Sequence, residues 1–117
     1  MRYLSIFKTA ERGTPPTQAE MDRMGRLIEE FTKSGVLIST EGCLPTALGA
    51  RIRQANGTTT VKDGPFAEAK EVVGGFAILE VRSKEEAVAL TKKFLSVAGD
   101  GECELRQLYE APAFAAK

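Results

Sequence analysis

The sequence predicts an α+β fold in which two amphipathic helices alternate with short strands. Three observations predict it. Two helix starts carry the same capping pattern, Thr17-x-x-Glu20 and Ser83-x-x-Glu86, in which side chains satisfy orphan backbone N–H groups at a helix N-terminus. Four short runs rich in aromatic and branched residues read as strands: Tyr3–Lys8, Val36–Cys43, Gly75–Val81 and Cys103–Tyr109. Between the second and third of these lies Asn56-Gly57, a strong type I′ hairpin signal.

The elements follow in order. Tyr3 to Lys8 is too short for a helix and is taken as the first strand. A polar loop holding Gly13, Pro15 and Pro16 leads to the first helix. Pro16 and Met21 occupy the two positions of a hydrophobic staple around the Thr17 cap. Met21, Met24, Leu27, Ile28 and Phe31 recur on one helical face. Gly35 suits the left-handed residue that ends a helix. After the second strand, Leu44-Pro45 breaks the chain, and Ala50–Ala55 pairs with Thr58–Lys62 across the Asn56-Gly57 turn. A two-residue turn sets Ile52 opposite Val61, Arg53 opposite Thr60 and Arg51 opposite Lys62. The last pair juxtaposes like charges, which is mildly destabilising.

Asp63-Gly64-Pro65-Phe66 then turns the chain into the most apolar strand, introduced by Gly74-Gly75. Ala87, Leu90, Phe94 and Val97 give the second helix its buried stripe, and Gly99-Asp100-Gly101 ends it. Cys103 to Tyr109 is the last strand. The resulting order is β-α-β, a hairpin, then β-α-β: a ferredoxin-like βαββαβ sandwich with an added β-hairpin. Residues 1–110 are expected to form one domain and 111–117 a loose tail. Both helices should cover one face of an antiparallel sheet. The other face is expected to carry Phe76, Ile78, Tyr3 and Phe7, and is too apolar to leave wet. A second copy of the chain is the economical cover, so a homodimer is expected. A different protein meeting the same face is the alternative.

Bulk properties narrow the function. The chain has 117 residues, 43% of them apolar. A chain of that size buries roughly 65% of its unfolded surface and needs no metal or disulfide to fold. Sixteen Lys plus Arg balance sixteen Asp plus Glu, which argues against nucleic acid and gives no support for an anionic membrane. The strand Gly74–Val81 sits where an RNA-recognition module carries its first RNP motif. Gly74 replaces the basic residue, however, and Ile78 and Val81 replace stacking aromatics. The N-terminus is too short and polar for a signal peptide, and no apolar run approaches a membrane span, so a cytoplasmic protein is expected. There is no histidine, which removes His-based acid–base chemistry and makes zinc or iron improbable. Cys43 and Cys103 lack metal-ligand spacing and are read as buried free thiols on strands. The spacing also leaves a disulfide between them open.

Several polar residues are candidates for a site. Asp63 is either a turn residue that accepts backbone N–H groups or a general base facing a cleft. Glu68 and Lys70, with Glu71, are either a solvated segment or the polar lining of a pocket, with Lys70 pairing a carboxylate or phosphate. Glu104 and Arg106 point to one side of the last strand. They read as a structural pair or, functionally, with Arg106 as an anion clamp. Arg51, Arg53 and Lys62 share one hairpin face. They form a solvated edge, or their repulsion is relieved by a bound anion or acidic partner. No EF-hand spacing is present, a carboxylate-held Mg²⁺ stays open, and neither a resident metal nor a cofactor is expected.

The segment Asp63-Gly64-Pro65-Phe66-Ala67-Glu68-Ala69-Lys70-Glu71, followed by Gly74-Gly75-Phe76, resembles the signature of the DGPF proteins in the YCII-related group. Glu41-Gly42 with Leu44-Pro45, the polar hairpin and Glu104-Leu105-Arg106 fit the same group. The resemblance runs from Met1 to about Glu110. It implies a dimeric α/β-barrel of ferredoxin-like subunits. Some relatives carry a His–Asp pair suspected of catalysis, which this chain cannot match. DGPF proteins are also associated with extracytoplasmic-function sigma factors, which implies a regulatory role. Two classes of function follow as expectations. One is a small-molecule binding protein or enzyme, with a cleft between the sheet and the dimer partner and with proton-transfer or lyase-like chemistry. The other is a non-catalytic interaction protein.

Overall fold

Local signals in the chain produce nine elements in the computed structural model, which describes residues 1–110. They are β1 (Arg2–Thr9), α1 (Gln18–Lys33), β2 (Leu37–Gly42), a short 3-10 turn (Thr46–Leu48), β3 (Ala50–Ala55), β4 (Thr58–Asp63), β5 (Val72–Glu80), α2 (Lys84–Ala98) and β6 (Glu102–Gln107). The expected tail at 111–117 lies outside the described residues.

The capping box at α1 is complete. Thr17 Oγ1 accepts from the Glu20 amide at 3.1 Å, and Glu20 accepts from the Thr17 amide at 2.8 Å. The helix ends in a Schellman motif: Gly35 sits at φ +81, its amide donates to Thr32 O, and that of Val36 donates to Phe31 O, each at 3.1 Å. At α2 the box is modified. Ser83 Oγ accepts from the Glu86 amide at 3.1 Å. Glu86 itself reaches one residue further back, taking the Arg82 amide at 2.9 Å and its guanidinium at 3.2 Å.

Four strands form one antiparallel sheet in the order β2-β5-β1-β6, and among the described residues β3 and β4 pair only with each other. This is the ferredoxin-like arrangement with an added hairpin. The hairpin register is the expected one, with Arg51 opposite Lys62, Ile52 opposite Val61 and Arg53 opposite Thr60.

Both helices lie on one face, and the core sits beneath them. Tyr3, Leu79, Val81 and Ala87 are buried together, and Phe7 meets Phe94 of α2 edge-on with ring centroids 5.3 Å apart. The expectation that Tyr3 and Phe7 point away from the helices is therefore corrected. β1 is apolar on both sides, and pairing of Tyr3 with Leu79 and of Ser5 with Ala77 turns its odd positions inward. The outer face instead carries Leu4 and Ile6 opposite Ile78 and Phe76. The cysteines also differ from expectation. Both are free, Cys43 lies just beyond β2 and is exposed, and only Cys103 is half-buried on a strand. No described helix is long and apolar enough to cross a membrane.

Candidate functional site

The stripe of α1 does not close onto the sheet along its whole length. A cavity of about 510 Å³ remains between α1, α2 and the sheet. Its walls are mainly apolar: Met24, Leu27 and Ile28 from α1, Leu90 and Phe94 from α2, and Phe7 from β1. The staple residues Pro16 and Met21 line it as well. Four glycines border the same space: Gly25 on α1, Gly42 at the end of β2, and Gly74 and Gly75 on β5. The cavity is thus built partly from missing side chains.

The polar groups around it share one character. Thr40 Oγ1 donates to Phe76 O and Thr91 Oγ1 to Ala87 O, both at 2.8 Å, so each hydroxyl has spent its proton and offers lone pairs. Glu20 adds a carboxylate to the lining, whereas Glu41, paired with Phe76, turns its side chain to the outer face and borders the space with its backbone; among the described residues neither Lys nor Arg lines it. The Arg12 guanidinium, at 3.0 Å, and the Thr17 amide hold the Glu20 carboxyl down at about 2. It is therefore an anion at the rim. Ser5 lies buried on the floor. Burial pushes the neighbouring Cys103 thiol upward against a hydrogen bond with Ser5, which makes that thiol a packing group rather than a nucleophile.

None of the polar residues named in the sequence as candidates for a site lines this cavity. They fall into two groups elsewhere. Glu68 is bridged by Lys62 at 2.6 Å and Arg51 at 3.2 Å, and those two cations hold its carboxyl below the usual range, Lys62 foremost. The like-charge pair in the hairpin is thereby bridged by a carboxylate from the same chain, six residues after Lys62. Glu104 lies on the outer sheet face between Lys8 at 2.8 Å and Arg106 at 3.3 Å. The Lys8 hydrogen bond is the main cause lowering the Glu104 carboxyl, and Glu104 raises Lys8 in return. Asp63 and Lys70 are exposed, and neither side chain has a partner among the described residues.

The turn that carries Asp63 has a clear structural role. A Cβ on Gly64 would stand 1.6 Å from Thr46 O, so only glycine allows the backbones to touch. The Gly64 amide donates to Gly49 O at 2.9 Å, and the Phe66 amide donates to Thr46 Oγ1 at 3.1 Å. Glu11 holds Thr46 from the other side through its amide at 2.7 Å and its hydroxyl at 2.8 Å. Arg51 stacks over the Phe66 ring at 3.9 Å from its centroid. A second cavity of about 320 Å³ opens here, bordered by Lys8, Thr46, Arg51, Phe66 and Glu71.

The acceptor-lined apolar cavity was missed in the sequence. Its signal was present as a glycine inside a helical pattern, at position 25, and as Gly74-Gly75, which belongs within a strand rather than before it. Such glycines mark close approach or open space.

Comparison with known proteins gives the family. The chain is 32% identical over 80 residues to an uncharacterized protein, R00369, of Rhizobium meliloti (strain 1021), an alignment covering 68% of this chain and 64% of that relative. The chain thus spans less than two thirds of that relative's length. Its fold is similar to that of 5-chloro-2-hydroxyhydroquinone dehydrochlorinase (TftG) from Burkholderia phenoliruptrix AC1100, solved in complex with 2,5-dihydroxybenzoquinone. The TM-score is 0.53 at 15% identity, over 97% of this chain and 98% of that one. The YCII-related domain matches residues 1–112, and with the ferredoxin-like sheet, the added hairpin and the Asp63–Phe66 turn in place, the chain belongs to the YCII-related family.

Proposed function

We propose that this protein binds a small, uncharged, hydroxyl-bearing ring compound in the cavity between its helices and sheet. The observation that carries this reading is the lining: apolar walls of ligand-site size, with the Glu20 carboxylate at the rim and the threonine hydroxyls left as acceptors. A ligand that donates hydrogen bonds satisfies such a site, whereas an anionic one finds no Lys or Arg among the described lining residues, and Arg12 at the rim is already taken up by Glu20. The hydroxylated ring held by the similarly folded dehydrochlorinase makes hydroxylated rings the first compounds to test. Asp63, Lys70 and Arg106 belong to a different reading, in which the second cavity and the outer sheet face serve an acidic ligand.

The test compares catechol and hydroquinone, both uncharged at neutral pH, with benzoate, by thermal shift and by amide chemical-shift mapping. At about 100 times Kd a ligand stabilises by about 2.7 kcal/mol, which for a domain of this size raises Tm by about 10 °C. The expected result is a rise with catechol, none with benzoate, and shifts at Gly25, Gly42 and Thr91. Binding of benzoate alone, with shifts at Arg51 and Glu71, would defeat the reading and support the other.

A second reading concerns assembly. The chain is a slab of 44 × 43 × 21 Å, about one helix layer on one sheet. Its outer face carries Leu4, Ile6, Phe76 and Ile78, with Ile38 and Val73 about half exposed beside them. A second copy is the proposed cover. Light scattering at micromolar concentration should give twice the chain mass, and Phe76→Glu should return it to one. A wild-type monomer would sink the idea.

A further inference from the structure

The cavity owes its opening to glycines, and these differ in why they are glycine. Gly75 has a reason in the sheet: a Cβ there would stand 2.8 Å from Glu41 O. Gly25 and Gly42 have none of that kind. A Cβ on Gly25 would meet nothing within 4 Å, and one on Gly42 would only touch Gly74 O at 4.0 Å. Neither adopts a positive φ. Gly25 lies in the interior of α1, where glycine is unfavourable relative to alanine. It also lies on the apolar stripe, four residues after Met21 and three before Ile28, which are its neighbours on the helix surface. All three line the cavity, and Gly25 itself is exposed. The stripe is therefore interrupted at the mouth of the cavity, where a leucine would complete it.

We infer that Gly25, with Gly42 on the facing strand, sets the size of molecule the cavity admits. The absent side chains keep the mouth wide enough for a fused two-ring compound, and filling position 25 narrows the site to a single ring. This rests on the ligand reading above. It adds a specificity-determining residue to that reading, since Gly25 offers no group for chemistry and acts only through the space it leaves. Gly42 plays the same part from the sheet side, and the two positions are on different elements, so each can be filled separately.

The experiment measures Kd for catechol and for 2,3-dihydroxynaphthalene by titration of the full chain. Wild-type protein should bind both. Gly25→Leu should weaken the naphthalene compound tenfold or more and leave catechol within threefold. Gly25→Ala, which keeps the helix and adds one methyl, should give a smaller loss in the same direction, and it stands in if the leucine variant does not fold. Gly13→Ala, at a glycine equally open but outside the cavity, should change neither constant. Equal binding of the naphthalene compound by Gly25→Leu and wild type would overturn the inference. So would a wild-type protein that takes catechol and refuses the larger ring, and that outcome leaves the ligand reading standing. A wild-type protein that binds neither defeats the ligand reading and the inference together.

Discussion

Replacing Gly64 by alanine should release the Asp63–Phe66 turn from the domain. The added Cβ would lie 1.6 Å from Thr46 O and 2.6 Å from its carbonyl carbon. Both are backbone atoms, so no side-chain rotation relieves the overlap. The segments must separate, and two hydrogen bonds go with them: Gly64 to Gly49 at 2.9 Å and Phe66 to Thr46 at 3.1 Å. Each is worth about 1 kcal/mol net, and forced backbone displacement adds about 1–3 kcal/mol. The expected loss is about 3–5 kcal/mol, read as a lower urea midpoint at unchanged slope. Should the turn detach alone, the midpoint holds and the Gly64 and Phe66 amides lose their protection from hydrogen exchange. Thr46→Val, which removes the hydroxyl bonded to both Phe66 and Glu11, should cost about 1–2 kcal/mol. Gly13→Ala, with nothing within 4 Å, should be near neutral. A Gly64→Ala protein with a wild-type midpoint and a protected Phe66 amide would refute the reasoning.

Further outcomes follow from the helices. Thr17→Ala removes the hydroxyl that caps α1 and should cost about 0.5–2 kcal/mol by chemical denaturation. Gly25→Ala should raise stability by about 0.5–1 kcal/mol, and a loss instead would mean that the open space beside it is filled. Ala87, with no exposed surface on the inner side of α2, should not accept a larger side chain: Ala87→Leu is expected to cost about 1–3 kcal/mol. The Glu20 carboxyl is at about 2 in the fold against 4.5 when free. Because the folded value is the lower one, its contribution is fully present above 4.5 and disappears as pH falls toward 2. Carboxyl NMR titration should show this depressed value, and Arg12→Ala should bring it back toward 4.5.

Much of the fold was legible in the sequence because local chemistry determines it. The Thr17 box, Gly35 and the Asn56-Gly57 turn are each set by a few neighbouring residues, and the hairpin register followed from loop length alone. The facing of β1 was less legible. Tyr3, Leu4, Ile6 and Phe7 are apolar on both sides of the strand, so period-two alternation does not say which side meets the helices. The relief of the Arg51–Lys62 pair by Glu68 depends on how the turn folds back, which no pairing rule encodes. The cavity was the least legible feature. It is defined by side chains that are absent, and a glycine in a sequence does not show what stands opposite it.

The neck of the hairpin has a consequence for how the fold tolerates change. Gly49 and Gly64 are joined by a hydrogen bond at 2.9 Å, and between them β3 and β4 pair with no other described strand. Residues 50 to 63 therefore form a loop whose two ends are already held together. Length added or removed at Asn56-Gly57 is absorbed inside the hairpin and leaves the register of β2, β5, β1 and β6 unchanged. Such an appendage can vary in reach and charge while the cavity-bearing sandwich stays as it is.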